Sequence, residues 1–247
     1  MGRLGYPEVT LRQYLREAPF ALAMSSGFFS FYAHTGFLSV LEEEGLVPSR
    51  ITGSSAGALV GGAWAAGLDA RELGRELVAL ERRDFWDPGI GAGLLRGRLF
   101  RARLEALLPA KRFDACRVPV AFSVFDVLAR KTRVMDRGEL PRAIHASCAV
   151  PFLFHPVWIE GRPFWDGGVA DRPGLRGMPT EERRVLFHHI ASPTERIPAR
   201  EGMVTVVIEG LPRAGPFKLD AGRRAFEVAR AATRRALDRD VREVVTS

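Results

Sequence analysis

The chain reads as an α/β fold built on a mostly parallel sheet covered by helices on both faces, and three observations predict it. Short apolar runs alternate with segments of helical period along most of the length. Glycines stand where helices should stop, at Gly45 and Gly67. The apolar runs, such as Phe20 to Met24, are continuous enough to be buried strands.

Each element follows in turn. A strand over Phe20 to Met24 leads through a loop to a helix from Tyr32 to Glu44. Arg50 to Gly53 is a second short strand, and Ser55 to Ala66 is a helix whose small residues and Gly61-Gly62 pair allow close approach to a sheet. Asp69 to Glu72 has the form of a capping box, with Leu73, Leu77 and Leu80 continuing at helical spacing. The glycine-rich Pro88 to Gly97 segment and the basic amphipathic helix after it, Leu99 to Leu107, are the best candidates for a lid. Val118 to Phe125 and Thr132 to Met135 read as strands, Leu140 to Ala146 as a helix, Val185 to Ile190 and Val204 to Ile208 as strands, and Leu219 to Asp240 as a final helix. In such folds the chemistry sits at the carboxyl ends of strands.

The 247 residues suit one domain, 1–247, with room for a full core. Its 47% hydrophobic and 26% charged fractions are those of a globular protein, and no stretch approaches the roughly 20 apolar residues of a membrane span. Met1 to Phe20 carries charges and Pro7 in place of the apolar core of a secretory signal, so a cytoplasmic location is expected. Cys116 and Cys148 have no partners at ligand spacing, so neither a disulfide framework nor a metal or other cofactor is expected. The net charge of +7 favours acidic partners. Without zinc-finger spacing, an RNP-like strand or a helix-turn-helix signature, nucleic acid is not expected, whereas peripheral contact with an anionic membrane surface at the inner face is compatible. The arginines of the Pro88 to Leu107 region would serve such contact. The sequence does not fix the oligomeric state.

Gly53-Ser54-Ser55-Ala56-Gly57 matches G-x-S-x-G between a strand and a helix, the setting a nucleophile elbow requires. With 25 glycines in the chain, chance supplies roughly 0.1 such matches. Gly53 and Gly57 permit a tight turn that pushes the Ser55 hydroxyl outward, while the helix N-terminus and the Ala56 N–H favour developing negative charge. The bland alternative is a turn used only for packing. Further on, Asp166 precedes Gly167 and Gly168 after an apolar segment, at a sharp strand-end turn. In isolation Asp-Gly-Gly is ordinary turn chemistry.

Taken together, four ordered segments resemble the patatin-like phospholipase family, most strongly over 20–173. Met24 to Gly45 resembles its glycine-rich oxyanion loop and following helix, and Ile51 to Leu59 its nucleophile elbow. Ala146 to Pro156 is similar to the stretch before its Asp-Gly-Gly motif, and Asp166 to Pro173 to that motif and its proline. The resemblance implies a three-layer α/β/α domain and a Ser55–Asp166 dyad, acting without a metal on lipid or other acyl esters. Ser55 would attack the acyl carbon with Asp166 as general base, and the backbone N–H groups of Gly27, Phe28 and Ala56 would stabilise the oxyanion. A water-excluding site must raise the carboxylate's basicity for this to work.

The chain departs from the family at two places. Ser26, Gly27 and Phe28 align with three family glycines, Ser30 with the basic position and Phe31 with the next glycine, so only Gly27 is retained. Asp171-Arg172 stands where asparagines are common. Alternatives remain open at this point: an acyltransferase using the same acyl-serine, a catalytically silent lipid- or partner-binding domain, and a triad recruiting His188 or His189. His34, on the helix after the loop, reads as a structural hydrogen-bonding group.

Overall fold

A computed structural model describes residues 8–190 and 197–244. The first seven residues of the stretch read for a secretory signal lie outside them. In chain order the elements are α1 (Leu11–Glu17), β1 (Ala21–Met24), α2 (Phe31–Glu43), β2 (Arg50–Ser54), α3 (Ala56–Ala65), α4 (Ala70–Val78), β3 (Gly93–Leu95), α5 (Arg98–Leu107), β4 (Val120–Asp126) and β5 (Lys131–Met135). There follow α6 (Leu140–Ser147), β6 (Phe152–Phe154), β7 (Val157–Ile159), β8 (Arg162–Asp166), β9 (Val185–His189), β10 (Met203–Val207), α7 (Leu219–Leu237) and α8 (Val241–Val244).

The expected α/β fold is present. The main sheet runs β10-β9-β1-β2-β4-β8-β7, with β5 also paired to β4. The pairs β10-β9, β9-β1, β1-β2 and β2-β4 are parallel, and β5, β8 and β7 join antiparallel. The larger apolar cluster, centred on Leu22, Phe37, Trp64 and Phe122, fills the space between the sheet and α2, α3 and α7. A smaller cluster on the opposite face gathers Ala21, Ala23, Phe187 and Met203 under Leu175 and Met178. The alternation along β1, with Leu22 and Met24 in one cluster and Ala21 and Ala23 in the other, is the two-residue period of a strand buried on both faces.

One feature of the register decides where the chemistry is placed. Ser54 at the end of β2 lies opposite Ser123 of β4, and the next residue of β4, Val124, lies opposite Asp166 at the end of β8. Because β5 occupies the other edge of β4, β2 and β8 share one edge and meet end to end. Ser55 cannot continue the pairing, since its place opposite Val124 is taken by Asp166, so the chain leaves the sheet there and α3 begins. Opposed strand directions thus bring two carboxyl ends together.

The Asp69 side chain caps α4 by accepting the Glu72 N–H at 2.6 Å, one of the two bonds of the capping box that the sequence predicts. The Pro88 to Gly97 segment is more ordered than its composition indicates. Its end forms β3, which pairs in parallel with β6, and the Asp87 carboxylate accepts the N–H groups of Gly97, Arg98 and Leu99 at the start of α5. Among the described residues no helix is long and apolar enough to cross a membrane.

Candidate active site

Ser55 sits at φ 52° and ψ −116°, a conformation that costs strain in any residue with a Cβ. The strain is held by the neighbouring backbone. The Ser55 N–H donates to Ser147 Oγ at 2.9 Å, Ser147 Oγ donates in turn to the Ser123 carbonyl at 2.8 Å, and Cys148 Sγ lies 3.2 Å from the Ser55 carbonyl. Both backbone polar groups of Ser55 are therefore fixed by the end of α6. A Cβ on Gly57 would overlap the Met24 carbonyl, and one on Gly53 would lie 2.7 Å from the Gly57 carbonyl carbon. These two glycines let α3 press its N-terminus against β1 and β2, as the elbow reading expected.

Ser55 Oγ donates to Asp166 Oδ2 at 2.6 Å. The other oxygen, Oδ1, accepts the Gly168 N–H at 2.7 Å. Gly167 is required for this turn because a Cβ there would overlap the Ser123 carbonyl, so the Asp-Gly-Gly run allows the carboxylate to arrive against β4. Asp166 is 6% exposed, and burial pushes its carboxyl up to about 6, opposed by the hydrogen bonds from Ser55 and Gly168 and by the charge of Arg172. A carboxylate with that affinity for a proton is a competent base near neutral pH.

The loop after β1 lies beside this pair. Ser26 donates its N–H to the Arg172 carbonyl at 2.7 Å, and the Ser25 side chain accepts the Ile190 N–H at 2.8 Å. Gly27, Phe28 and Ala56 all line the cavity that Ser55 and Asp166 border. Among the described residues no acceptor engages the N–H of Gly27 or Phe28, and Ala56 opens α3, where first-turn N–H groups have no intrahelical partner. The three residues expected to supply donors thus border the same cavity as Ser55, although Phe28 replaces a family glycine. Phe29 takes the positive φ of 56° in this loop and is held by ring contacts to Phe28, Phe31 and Phe85.

The second departure is also accommodated by packing. The Asp171 carboxylate accepts from Ser123 Oγ at 2.5 Å and from the Arg176 N–H at 2.9 Å. Arg172 lends its carbonyl to Ser26 and lines the cavity. Asp171-Arg172 therefore ties β4 to the loop after β1.

The structure does not bring His188 or His189 to Ser55. Both are buried on β9, separated from β2 by β1, and no histidine lines the cavity. His34 serves the structural role expected of it, placing Nε2 2.8 Å from the Ser25 carbonyl. The residue that the sequence reasoning missed is Ser147. Its signal was present in the Ala146-Ser-Cys-Ala-Val-Pro stretch, but nothing local showed that its hydroxyl would reach the elbow.

Ser55 and Asp166 open onto an apolar cavity of about 380 Å³, within the range of small-molecule sites. Leu59, Ala63, Leu73, Leu77, Phe100 and Leu104 form much of its wall, and the charged residues Arg103, Glu76 and Asp84 also line it, Arg103 paired to Glu76 at 2.9 Å and to Asp84 at 3.9 Å. Such an apolar wall is suited to a hydrocarbon chain. Among the described residues no cluster of three or more His, Cys, Asp or Glu side chains is placed to hold a metal ion.

Comparison with known proteins places this site in a family. NTE family proteins of Mycobacterium bovis and Mycobacterium tuberculosis are each 33% identical over 198 residues, covering 78% of this chain and 54% of theirs. The chain spans about half the length of these curated relatives. The crystal structure of VipD from Legionella pneumophila shares the fold, with a TM-score of 0.66 at 13% identity over 89% of this chain and 67% of that one. The family described as patatin-like phospholipase matches residues 22–178, which contain Ser55, Asp166 and the loop before α2. The chain therefore belongs to the patatin-like phospholipase family.

Proposed function

We propose that the chain is a serine acyl hydrolase that cleaves carboxylic esters of lipids, whether phospholipid, lysophospholipid or neutral lipid, through a Ser55–Asp166 dyad. The observation that carries this reading is the 2.6 Å bond from Ser55 Oγ to a buried carboxylate at the mouth of an apolar cavity. Asp166 Oδ2 takes the hydroxyl proton as Oγ attacks the acyl carbon, and the N–H groups of Gly27, Phe28 and Ala56 receive the oxyanion. The proton then passes to the departing alcohol, leaving an acyl-serine whose chain lies in the cavity. Water, deprotonated by the same carboxylate, releases the acid and restores the dyad.

The test compares wild type, Ser55→Ala and Asp166→Asn on short- and medium-chain chromogenic esters, with fluorophosphonate labelling of Ser55. Turnover and labelling in wild type, with turnover lost in both variants, is the expected result. Turnover retained in both variants excludes the dyad, and a wild type that neither turns over nor labels excludes the hydrolase reading and leaves a binding domain. Product analysis with an added alcohol separates hydrolysis from acyl transfer through the same intermediate.

A further inference from the structure

Six exposed apolar side chains lie in or next to the segments that border the cavity: Phe28, Ile90, Leu94, Phe152, Val169 and Phe217. They come from five separate parts of the chain. Phe28 and Val169 border the cavity themselves. Phe152, between two residues that also border it, lies opposite Gly93 in the β3-β6 pair, on the strand next to the one that carries Leu94. The Phe217 ring lies 5.6 Å from that of Trp86, another cavity-lining residue, and follows the cavity-lining Pro216. Exposed apolar groups scattered singly are unremarkable, whereas a ring of them around one opening marks a contact surface.

Phe152 adds an independent observation. It is 82% exposed and adopts φ 66°, the left-handed region that an aromatic residue enters only with strain. Its ring touches that of Trp165 with centroids 6.4 Å apart, yet most of it is left in water on a strained backbone.

Cations flank the ring. The Arg82 guanidinium lies 5.6 Å from the Trp86 ring and 5.3 Å from the Phe217 ring, Arg96 and Arg98 follow β3, and Lys218 follows Phe217. All four are exposed, and none is ion-paired to a carboxylate among the described residues. The nearby acids are engaged elsewhere, Asp87 with the N–H groups at the start of α5 and Asp84 with the Glu81 N–H.

We propose that this rim is the face by which the protein docks on an anionic lipid bilayer. Phe152, Phe217, Ile90 and Leu94 enter the acyl boundary while Arg82, Arg96, Arg98 and Lys218 meet anionic headgroups. Seated in this way, the cavity opens directly into the bilayer and an acyl chain passes between two apolar phases without crossing water. The orientation rests on the acyl-hydrolase reading, but binding itself does not.

The test is co-sedimentation of the protein with vesicles of phosphatidylcholine alone and of phosphatidylcholine with roughly one third phosphatidylglycerol. Wild type is expected to bind the anionic vesicles at least tenfold more tightly. Phe152→Gly combined with Phe217→Ser, and separately Arg96→Glu combined with Arg98→Glu, are each expected to lower that binding tenfold or more. Both pairs should leave turnover of a soluble short-chain ester unchanged. Glycine fits the backbone at position 152, so loss of binding without loss of thermal stability separates docking from folding. Equal wild-type binding to both vesicles, or variants that bind as wild type does, overturns the proposal. Vesicle binding by a wild type that turns over no ester would sustain the docking face and remove the hydrolase reading alone.

Discussion

His34 Nδ1 and His188 Nδ1 lie 2.8 Å apart in the core, and the bond has a fixed direction. The Ser25 carbonyl only accepts, so His34 donates to it through Nε2, leaves its Nδ1 bare and receives the His188 Nδ1–H. Burial is the main cause that drives the His34 imidazolium down to about 4 and that of His188 well below its ordinary value, so both rings are neutral at physiological pH. The pair anchors the residue immediately before Ser26 and Gly27.

His34→Ala therefore leaves the Ser25 carbonyl without its donor and opens a buried space. We expect kcat on a soluble ester to fall by roughly 10- to 100-fold with KM little changed, the pattern of misplaced oxyanion donors. His34→Gln retains an N–H donor near the Nε2 position and should restore most of the loss. Steady-state kinetics of the two variants decide the matter, and equal losses in both would remove the positioning role.

The raised Asp166 carboxyl sets the acid limb of activity. Its base form dominates only above about 6, so kcat/KM should fall about tenfold per pH unit below that value and level off above it. A pH profile on an uncharged soluble ester reads this directly. An acid limb near the ordinary carboxylate value would show that burial does not tune the group.

The same shift makes Asp166 a stability liability. Its folded pKa, near 6, exceeds the ordinary aspartate value of about 3.9, so the folded state binds the proton more tightly, and that stabilisation is complete below the unfolded value and lost as pH rises through about 6. Asp166→Asn should be inactive yet more stable than wild type at pH 8, by about 2–3 kcal/mol. The gain should disappear near pH 4. Urea unfolding at the two pH values measures it.

Ala63 forms part of the cavity wall on α3. Ala63→Leu fills space that an acyl chain would occupy, so turnover of long-chain esters should fall at least tenfold relative to short-chain ones. A chain-length series of chromogenic esters gives the ratio, and an unchanged ratio would place the acyl chain elsewhere.

Much of this arrangement was legible in the sequence. The strand-turn-helix setting of Ser55 and the Asp-Gly-Gly turn are local, because glycine requirements, strand period and caps act over a few residues. Most helices and strands lie within a residue or two of their expected ends for the same reason, while α4 stops at Val78, short of the run toward Arg83, and α7 at Leu237, three residues before Asp240. What escaped was non-local or short. The seven-residue α1 interleaves charges with Leu11, Tyr14 and Leu15, and β6, β7 and β8 are three to five residues long among prolines. The role of Ser147 depends on α6 ending above the elbow, which neither period nor propensity encodes. The ordering of the Pro88 to Gly97 segment likewise depends on β6, nearly sixty residues away.

Asp166 has one oxygen committed to the Gly168 N–H and one facing Ser55. In the proposed reaction, a single oxygen must then activate whichever nucleophile arrives second, because among the described residues no other carboxylate or imidazole is bonded to Ser55. The fate of an acyl group is consequently a competition for one seat: water, glycerol or another lipid hydroxyl is used according to which occupies the mouth when the first alcohol leaves. Product distribution then becomes a property of the surroundings of the opening, set by local hydration, rather than a constant of the dyad.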